Sequence, residues 1–452
     1  MLCNTALPSE DLASSFSNPC RPRRTPFHCR VSLMTNMRSL HFFSHCILKT
    51  QRCVGVSPRT LLPTLVSILL TSPSLALPIS PPAPMYGLNA ANSGQSQYVA
   101  FESAPQIAWQ RQVFGDSYYP RALSLDANGT LFTPGNYGRY ALNAADGSVV
   151  WTASRGRDST SALDGLGHVY AFEGGRFTAR QADTGQLLWH GASTPVSDGE
   201  PIKIGPEGTI YAPDIRGLIS AYEPGGALKW QSQEYGLIQY GEAAIIPAID
   251  GVGNLYFGSG RGLVSLDPQG VQRWLIPFTH LASSRVIIGP DGLVYYSADG
   301  QLFTRNPANG QIVRQRSTAF DSLQAIGSDG TLFFTSNGAI TATDLTGALR
   351  WQYRREWIDW PLVVDAAGKV IGATQQGDIL ALSSSGQKLW EIKVTDAYPV
   401  LYSCAPIIGP NGAVFALTRH GVVSIVPEPS TFVLVASSLL GLSLIPRRRQ
   451  RC

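Results

Sequence analysis

From residue 129 onward, short apolar runs alternate with turn residues on a long, regular period. A glycine, a small or polar residue and two apolar residues recur as Gly129-Thr-Leu-Phe, Gly167-His-Val-Tyr, Gly208-Thr-Ile-Tyr and Gly253-Asn-Leu-Tyr. The series continues, once with Leu in second place, as Gly292-Leu-Val-Tyr, Gly330-Thr-Leu-Phe, Gly368-Lys-Val-Ile and Gly412-Ala-Val-Phe, a mean spacing of about 40 residues. Tryptophan recurs in step at Trp109, Trp151, Trp189, Trp230, Trp274, Trp351 and Trp390, with Arg314 in the one vacant slot. Two interleaved series of this kind mark a repeat array.

Each unit reads as four short strands. In 405–425, Pro406-Ile-Ile leads to a Gly-Pro-Asn-Gly turn, Ala413-Val-Phe-Ala-Leu forms a second strand, and Val422-Val-Ser-Ile follows a turn at Gly421. In the other units a further Gly turn opens a strand that carries the Trp, as in Thr346-Gly-Ala-Leu-Arg-Trp351. Strands of four to six residues between Asp/Asn/Gly turns are hairpin signals. Four of them per forty residues, repeated radially, describe a β-propeller blade. The eighth unit stops after three strands, and a spare strand, Pro105-Gln-Ile-Ala-Trp109, precedes the first unit. Pairing the two closes the ring and hides open edges. The expectation is therefore an all-β, eight-bladed propeller over 100–425, its last blade completed by the N-terminal strand. Seven blades with a decorated edge is the competing reading.

Composition agrees. Charged residues are only 15% of 452, and 45 Gly with 31 Pro make the chain rich in turns. The net charge of +4 is uneven: residues 1–59 carry +6, the Arg tail carries +4, and 60–446 carries −6. A mildly acidic body lacks the basic footprint of a nucleic-acid binder. Five of the seven cysteines lie in the first 53 residues, with only Cys404 and Cys452 later and none at zinc spacing.

Arg59, the apolar run Leu61 to Leu75 and the small residue Ala76 read as a secretory signal over 59–77, followed by a lead-in at 78–99. Its depth in the chain suggests that 1–58 is an unstructured extension, with translation starting at Val56. The alternative is a genuine extension with an internal membrane anchor. At the other end, residues 426–452 comprise Pro427-Glu428-Pro429, a largely apolar stretch from Thr431 to Ile445, and Arg447, Arg448, Arg449 and Arg451. Fifteen helical residues span roughly 22 Å, short of the ~30 Å hydrocarbon core, and the arginines would stay in the cytoplasm. This three-part order resembles the PEP-CTERM sorting signal. The resemblance implies a short transmembrane helix, recognition by an exosortase-type membrane protease near Pro427–Pro429, and transient anchoring before release to the cell surface. An ordinary tail anchor predicts the same side of the membrane.

The repeat also resembles the PQQ-type propeller family, whose unit runs Ala, a short spacer, Thr-Gly, three residues, then Trp. Ala179 to Trp189 matches throughout, and Ala141 to Trp151 matches with Asp146 in the Thr place. The units ending at Trp230, Trp274, Trp351 and Trp390 are one residue shorter, with Ser265 in the Ala place before Trp274. The opening Met85-Tyr-Gly-Leu-Asn-Ala-Ala-Asn-Ser-Gly-Gln-Ser-Gln-Tyr98 also resembles the lead-in of such propellers. The resemblance implies that the seven Trp dock between blades. It also raises a quinone cofactor, which the family's dehydrogenases stack against a vicinal Cys-Cys disulfide and accompany with Ca²⁺. This chain has no Cys-Cys pair and no Cys-x-x-Cys-His.

No catalytic constellation stands out. His168, His190, His280 and His420 are scattered, and neither His-Glu-x-x-His nor Gly-x-Ser-x-Gly occurs. Gly258-Ser-Gly-Arg-Gly262 joins two strands and so reads as a hairpin turn, not a phosphate loop. One asymmetry remains. The loops from each blade's last strand to the next blade's first gather at one face, and they are aromatic: Tyr118 and Tyr119, Tyr235 and Tyr240, Trp357 and Trp360, Tyr398 and Tyr402. Such rings suit sugar stacking or protein anchoring, or they simply plug the channel. The expectation is an exported, cell-surface, monomeric propeller that binds or scaffolds an envelope protein or polysaccharide, with no cofactor and no enzymatic activity. A divergent quinoprotein dehydrogenase is the alternative. A carbohydrate-active propeller is a third reading, for which no acid/base carboxylate pair can be named.

Overall fold

The computed structural model describes residues 81–429 except 114–122, 136–137, 154–159, 175, 194–200, 215, 237–244, 278–284, 299, 318–321, 337, 357, 359–361, 395–404 and 419. The expected signal and tail helices lie outside these residues. Within them the chain forms eight four-stranded antiparallel sheets, and these are the blades of a β-propeller. Blades 1 to 7 are built from consecutive strands, beginning with Ser124–Leu125, Thr130–Gly135, Gly138–Asn143 and Val149–Ala153. Blade 8 takes Ile407–Ile408, Val414–Leu417 and Gly421–Pro427 from the C-terminal end and Pro105–Gln112 from the N-terminal end. The two ends pair from Pro105 against Pro427 to Gln112 against Gly421. The closing strand thus runs through Pro427, two residues further than the repeat pattern indicated.

The second and third strands of the blades are largely buried, several of them completely, because neighbouring blades cover both their faces. This explains the near-continuous apolar runs there, where a half-exposed sheet would alternate. The outer strands are largely exposed, as in Ile312–Ser317 and Leu349–Arg354.

The repeat motif has a packing cause at each position. Trp151, Trp189, Trp230, Trp274, Trp351 and Trp390 lie opposite Ala141, Ala179, Ala221, Ser265, Ala342 and Ala381, and Trp109 lies opposite Ser424. Directly opposed residues point to the same face, so a small partner leaves room for the indole. Each of the seven indole N–H groups then donates to a backbone carbonyl, in chain order from Trp109 to Trp390 those of Ala144, Ala182, Pro224, Pro268, Pro307, Ser384 and Phe101. The glycine of the motif lies under the preceding blade's indole. A Cβ on Gly185 would come within 2.6 Å of the Trp151 ring, and its φ of +70° suits glycine in any case.

Two docks differ. Arg314 does hold the Trp register, opposite Thr304, but the guanidinium over Gly347 belongs to Arg316, two residues on and on the same face. Blade 8 has no third-to-fourth-strand turn, because its fourth strand comes from the other end of the chain. Phe101 stands in for that turn, stacked on Trp390 with centroids 4.9 Å apart and planes 8° apart.

Candidate functional site: a strapped central channel

The innermost strand of each blade has no partner on its axial side, so its backbone groups point into the channel and must be satisfied there. Residues 83–100 do this. Ala83 and Leu125 exchange two backbone hydrogen bonds, and Leu163 N–H donates to Pro84 C=O. Ile249, Ile288, Ile326 and Val364 donate to the carbonyls of Ala90, Ala91, Ser93 and Gly94 at 2.9–3.0 Å. These positions end the inner strands of blades 1, 2, 4, 5, 6 and 7. Blade 3 uses a side chain instead: Lys203 Nζ donates to the carbonyls of Tyr86 and Asn89. Ala366 and Ala100 continue the path, bonded to Tyr98 C=O and to Asp365 Oδ2, before the chain turns outward to Phe101. The lead-in is thus a strap hydrogen-bonded to seven blades in turn.

Its sequence explains its path. Gly87, Leu88, Asn92 and Gly94 have φ of +74°, +68°, +59° and +66°, which curls the backbone tightly enough to follow a narrow ring. Asn89 Oδ1 accepts from Ser93 N–H, an Asx-type bond that fixes the curl. Asn92 is fully buried, and its Nδ2 donates to Ile246 C=O of blade 4 and Val286 C=O of blade 5.

Electrostatically the channel is unusual. Lys203 is fully buried, and its two polar partners are neutral carbonyls. Desolvation, with Arg285 nearby as a second cause, holds its amine well below the usual lysine range. The Arg285 guanidinium sits over the Tyr86 ring, 5.2 Å from its centroid. A small pocket remains beside them, lined by residues that include Tyr86, Gly87, Leu123, Arg285 and Ile407, with room for about one water. Among the described residues the strap fills the channel at the ends of the inner strands, and the pocket beside Tyr86 and Arg285 is too small for a tricyclic quinone. Among the described residues no group of three or more His, Cys, Asp and Glu is placed to hold a metal ion.

Of the aromatic loop residues singled out above, only Tyr235 is described. It corrects the expectation: the side chain is 1% exposed and its ring meets Phe257 edge-on at 5.7 Å, so it packs between blades and offers no surface to a ligand. Burial also pushes its phenol up. Tyr118, Tyr119, Tyr240, Trp357, Trp360, Tyr398 and Tyr402 lie outside the described residues, as do Arg447, Arg448 and Arg449. Pro427 ends the closing strand, Glu428 N–H donates to Ala104 C=O, and Pro429 follows. The strap is the feature that sequence reasoning missed. The density of Gly and Asn in 87–94 was its only local signal.

These features define an eight-bladed propeller of the PQQ-repeat class whose channel is threaded by its own N-terminal segment. Residues 80–202 and 215–426, roughly three quarters of the chain, match the family described as outer membrane protein assembly factor BamB, and the chain belongs to that family. Among solved structures it is similar to BamB from Moraxella catarrhalis, at 15% identity and TM-score 0.56, covering 72% of this chain and 99% of that one. It is similar to quinohemoprotein alcohol dehydrogenase ADHIIG from Pseudomonas putida HK5, at 14% and 0.57, covering 77% and 81%. Sqt1 of Saccharomyces cerevisiae gives 13% and 0.55, covering 74% and 100%. At these identities the likeness is one of fold. No curated protein sequence matches.

Proposed function

We propose that this protein is an exported envelope propeller that works through contacts, as a binding or scaffold module, and not as a quinone enzyme. The observation that carries this reading is the strap. Among the described residues the axial groups at the ends of the inner strands are spent on residues 83–98, and the pocket beside Tyr86 and Arg285 holds about one water. The family match supports it by association, since the family takes its description from an assembly factor. The signal at 59–77 and the PEP-CTERM-like tail support export, with an exosortase-type protease as the tail's partner and an envelope protein or polysaccharide as the body's.

The test is thermal unfolding of the purified chain with and without pyrroloquinoline quinone plus Ca²⁺. A ligand bound only to the native state at 100 times its Kd adds about 2.7 kcal/mol. For a domain of this size that is a rise of about 3–4 °C. The expected result is no shift and no dye reduction. A shift of that size would return the divergent quinoprotein reading, and the search for partners would stop.

A further inference from the structure

Two cations meet at the strap, and no carboxylate of the described residues answers them. Lys203 opens the inner strand of blade 3, and Arg285 stands two residues before that of blade 5. Lys203 has no exposed surface, and the acceptors it meets are neutral carbonyls of the strap. Arg285 is the one charged group that acts on it, and it opposes protonation. A guanidinium carries five N–H donors. Among the described residues those of Arg285 meet only Gln324 Oε1, at 3.5 Å, besides the face of the Tyr86 ring. Buried charge is ordinarily paired, and elsewhere in this ring it is. Glu173 takes both Arg139 and Arg180, and Arg355 holds Asp378 and Glu391.

The pocket described above lies against these groups. Its lining includes Tyr86, Gly87 and Gly94 of the strap, Leu123 of blade 1, Arg285, and Ile407 of blade 8. The strap's hydrogen-bonded path described above passes blade 8 by, so the pocket falls where the strap is least tied. Gly87 adds a backbone N–H that has no acceptor among the described residues. With room for about one water, the cavity suits a single atom and turns away polyatomic anions such as gluconate.

We propose that this pocket is a halide site, taking chloride or bromide against the Arg285 guanidinium. The anion accepts from Arg285, offsets the positive charge that Arg285 and Lys203 bring to the axis, and joins the strap to blades 1, 5 and 8. Binding is coupled to the Lys203 proton, because a charged amine favours the anion. The halide therefore binds more tightly as pH falls. Tyr86 is the other ionisable side chain at the pocket. The site is independent of which partner the ring takes.

The purified full chain is melted in sodium gluconate, with chloride or bromide replacing gluconate stepwise at constant ionic strength, so that screening of surface charge stays fixed. Once the halide exceeds its Kd, Tm should rise by about 2 °C for each further tenfold. The rise should begin at lower halide near pH 6 than near pH 9. Arg285→Gln should abolish the rise without lowering Tm in gluconate alone, since it takes a cation away from Lys203. An arginine with a merely structural role would lower Tm in gluconate and leave the halide response intact. If Arg285→Gln does not fold, Lys203→Met should remove the pH dependence of the onset. Crystals grown in bromide should show the anomalous peak beside Arg285. A Tm indifferent to halide, a response that survives Arg285→Gln, or bromide found only on the outer surface refutes the site, and the pocket then holds water.

Discussion

Asn92→Ala is the sharpest probe of the strap. The Asn92 side chain is fully buried, and its amide ties the strap to Ile246 C=O at 3.2 Å and Val286 C=O at 3.1 Å. Alanine leaves both carbonyls without that donor, at a cost of about 1–1.5 kcal/mol each. It must also hold the φ of +59° that asparagine tolerates better, which adds about 1 kcal/mol. Asn92 Oδ1 has no hydrogen-bond partner, so its removal costs nothing. The sum is about 3–4 kcal/mol. With an unfolding entropy of about 2.1 cal/mol/K per residue over some 350 residues, Tm falls by about 4–5 °C. Calorimetry reads this directly, and Asn92→Gly separates the causes: glycine relieves the backbone cost and keeps the lost bonds, so it should recover about a quarter of the fall. A change below 1 °C in Asn92→Ala would refute the claim that the strap bears on the stability of the ring.

Two further outcomes follow from the same geometry. Lys203 binds its proton less readily folded than unfolded, so stability should rise with pH from neutral toward the unfolded-state value near 10.4, and Lys203→Met should flatten that part of the curve between pH 7 and 9.5 in urea titrations. A slope unchanged in the variant would remove Lys203 as its source. Trp390→Ala removes a 4%-exposed indole, its bond to Phe101 C=O and the ring stack that secures the closing segment, and should cost about 3–5 kcal/mol by denaturant unfolding. Trp189→Ala, at a more exposed dock, should cost less. Equal losses would mean that the Phe101 stack adds nothing.

Much of the ring was legible because its determinants are local and repeated. A Gly turn, a buried apolar pair and a Trp opposite a small residue recur eight, eight and seven times, and each copy reports the same packing. The closing pair was legible from arithmetic, three strands at one end and one at the other. The strap was not. Met85 to Gly94 carries no period, and its meaning lies in hydrogen bonds to inner strands up to 270 residues away, such as Val364 N–H on Gly94 C=O. Tyr235 misled for a related reason, since a loop position shows where a residue is attached but not whether a neighbouring blade covers it.

The amino-acid sequence alone therefore determined the number of blades, the recurrence of the Trp docks and the strand that closes the ring, because the first two follow from short-range repeated patterns and the third from counting the strands left over at each end. Only the tertiary structure decided that the channel is occupied from within and that Phe101 replaces a missing turn. Those features arise where the ends of a closed ring meet its axis and its rim, and no local pattern records which distant groups converge there.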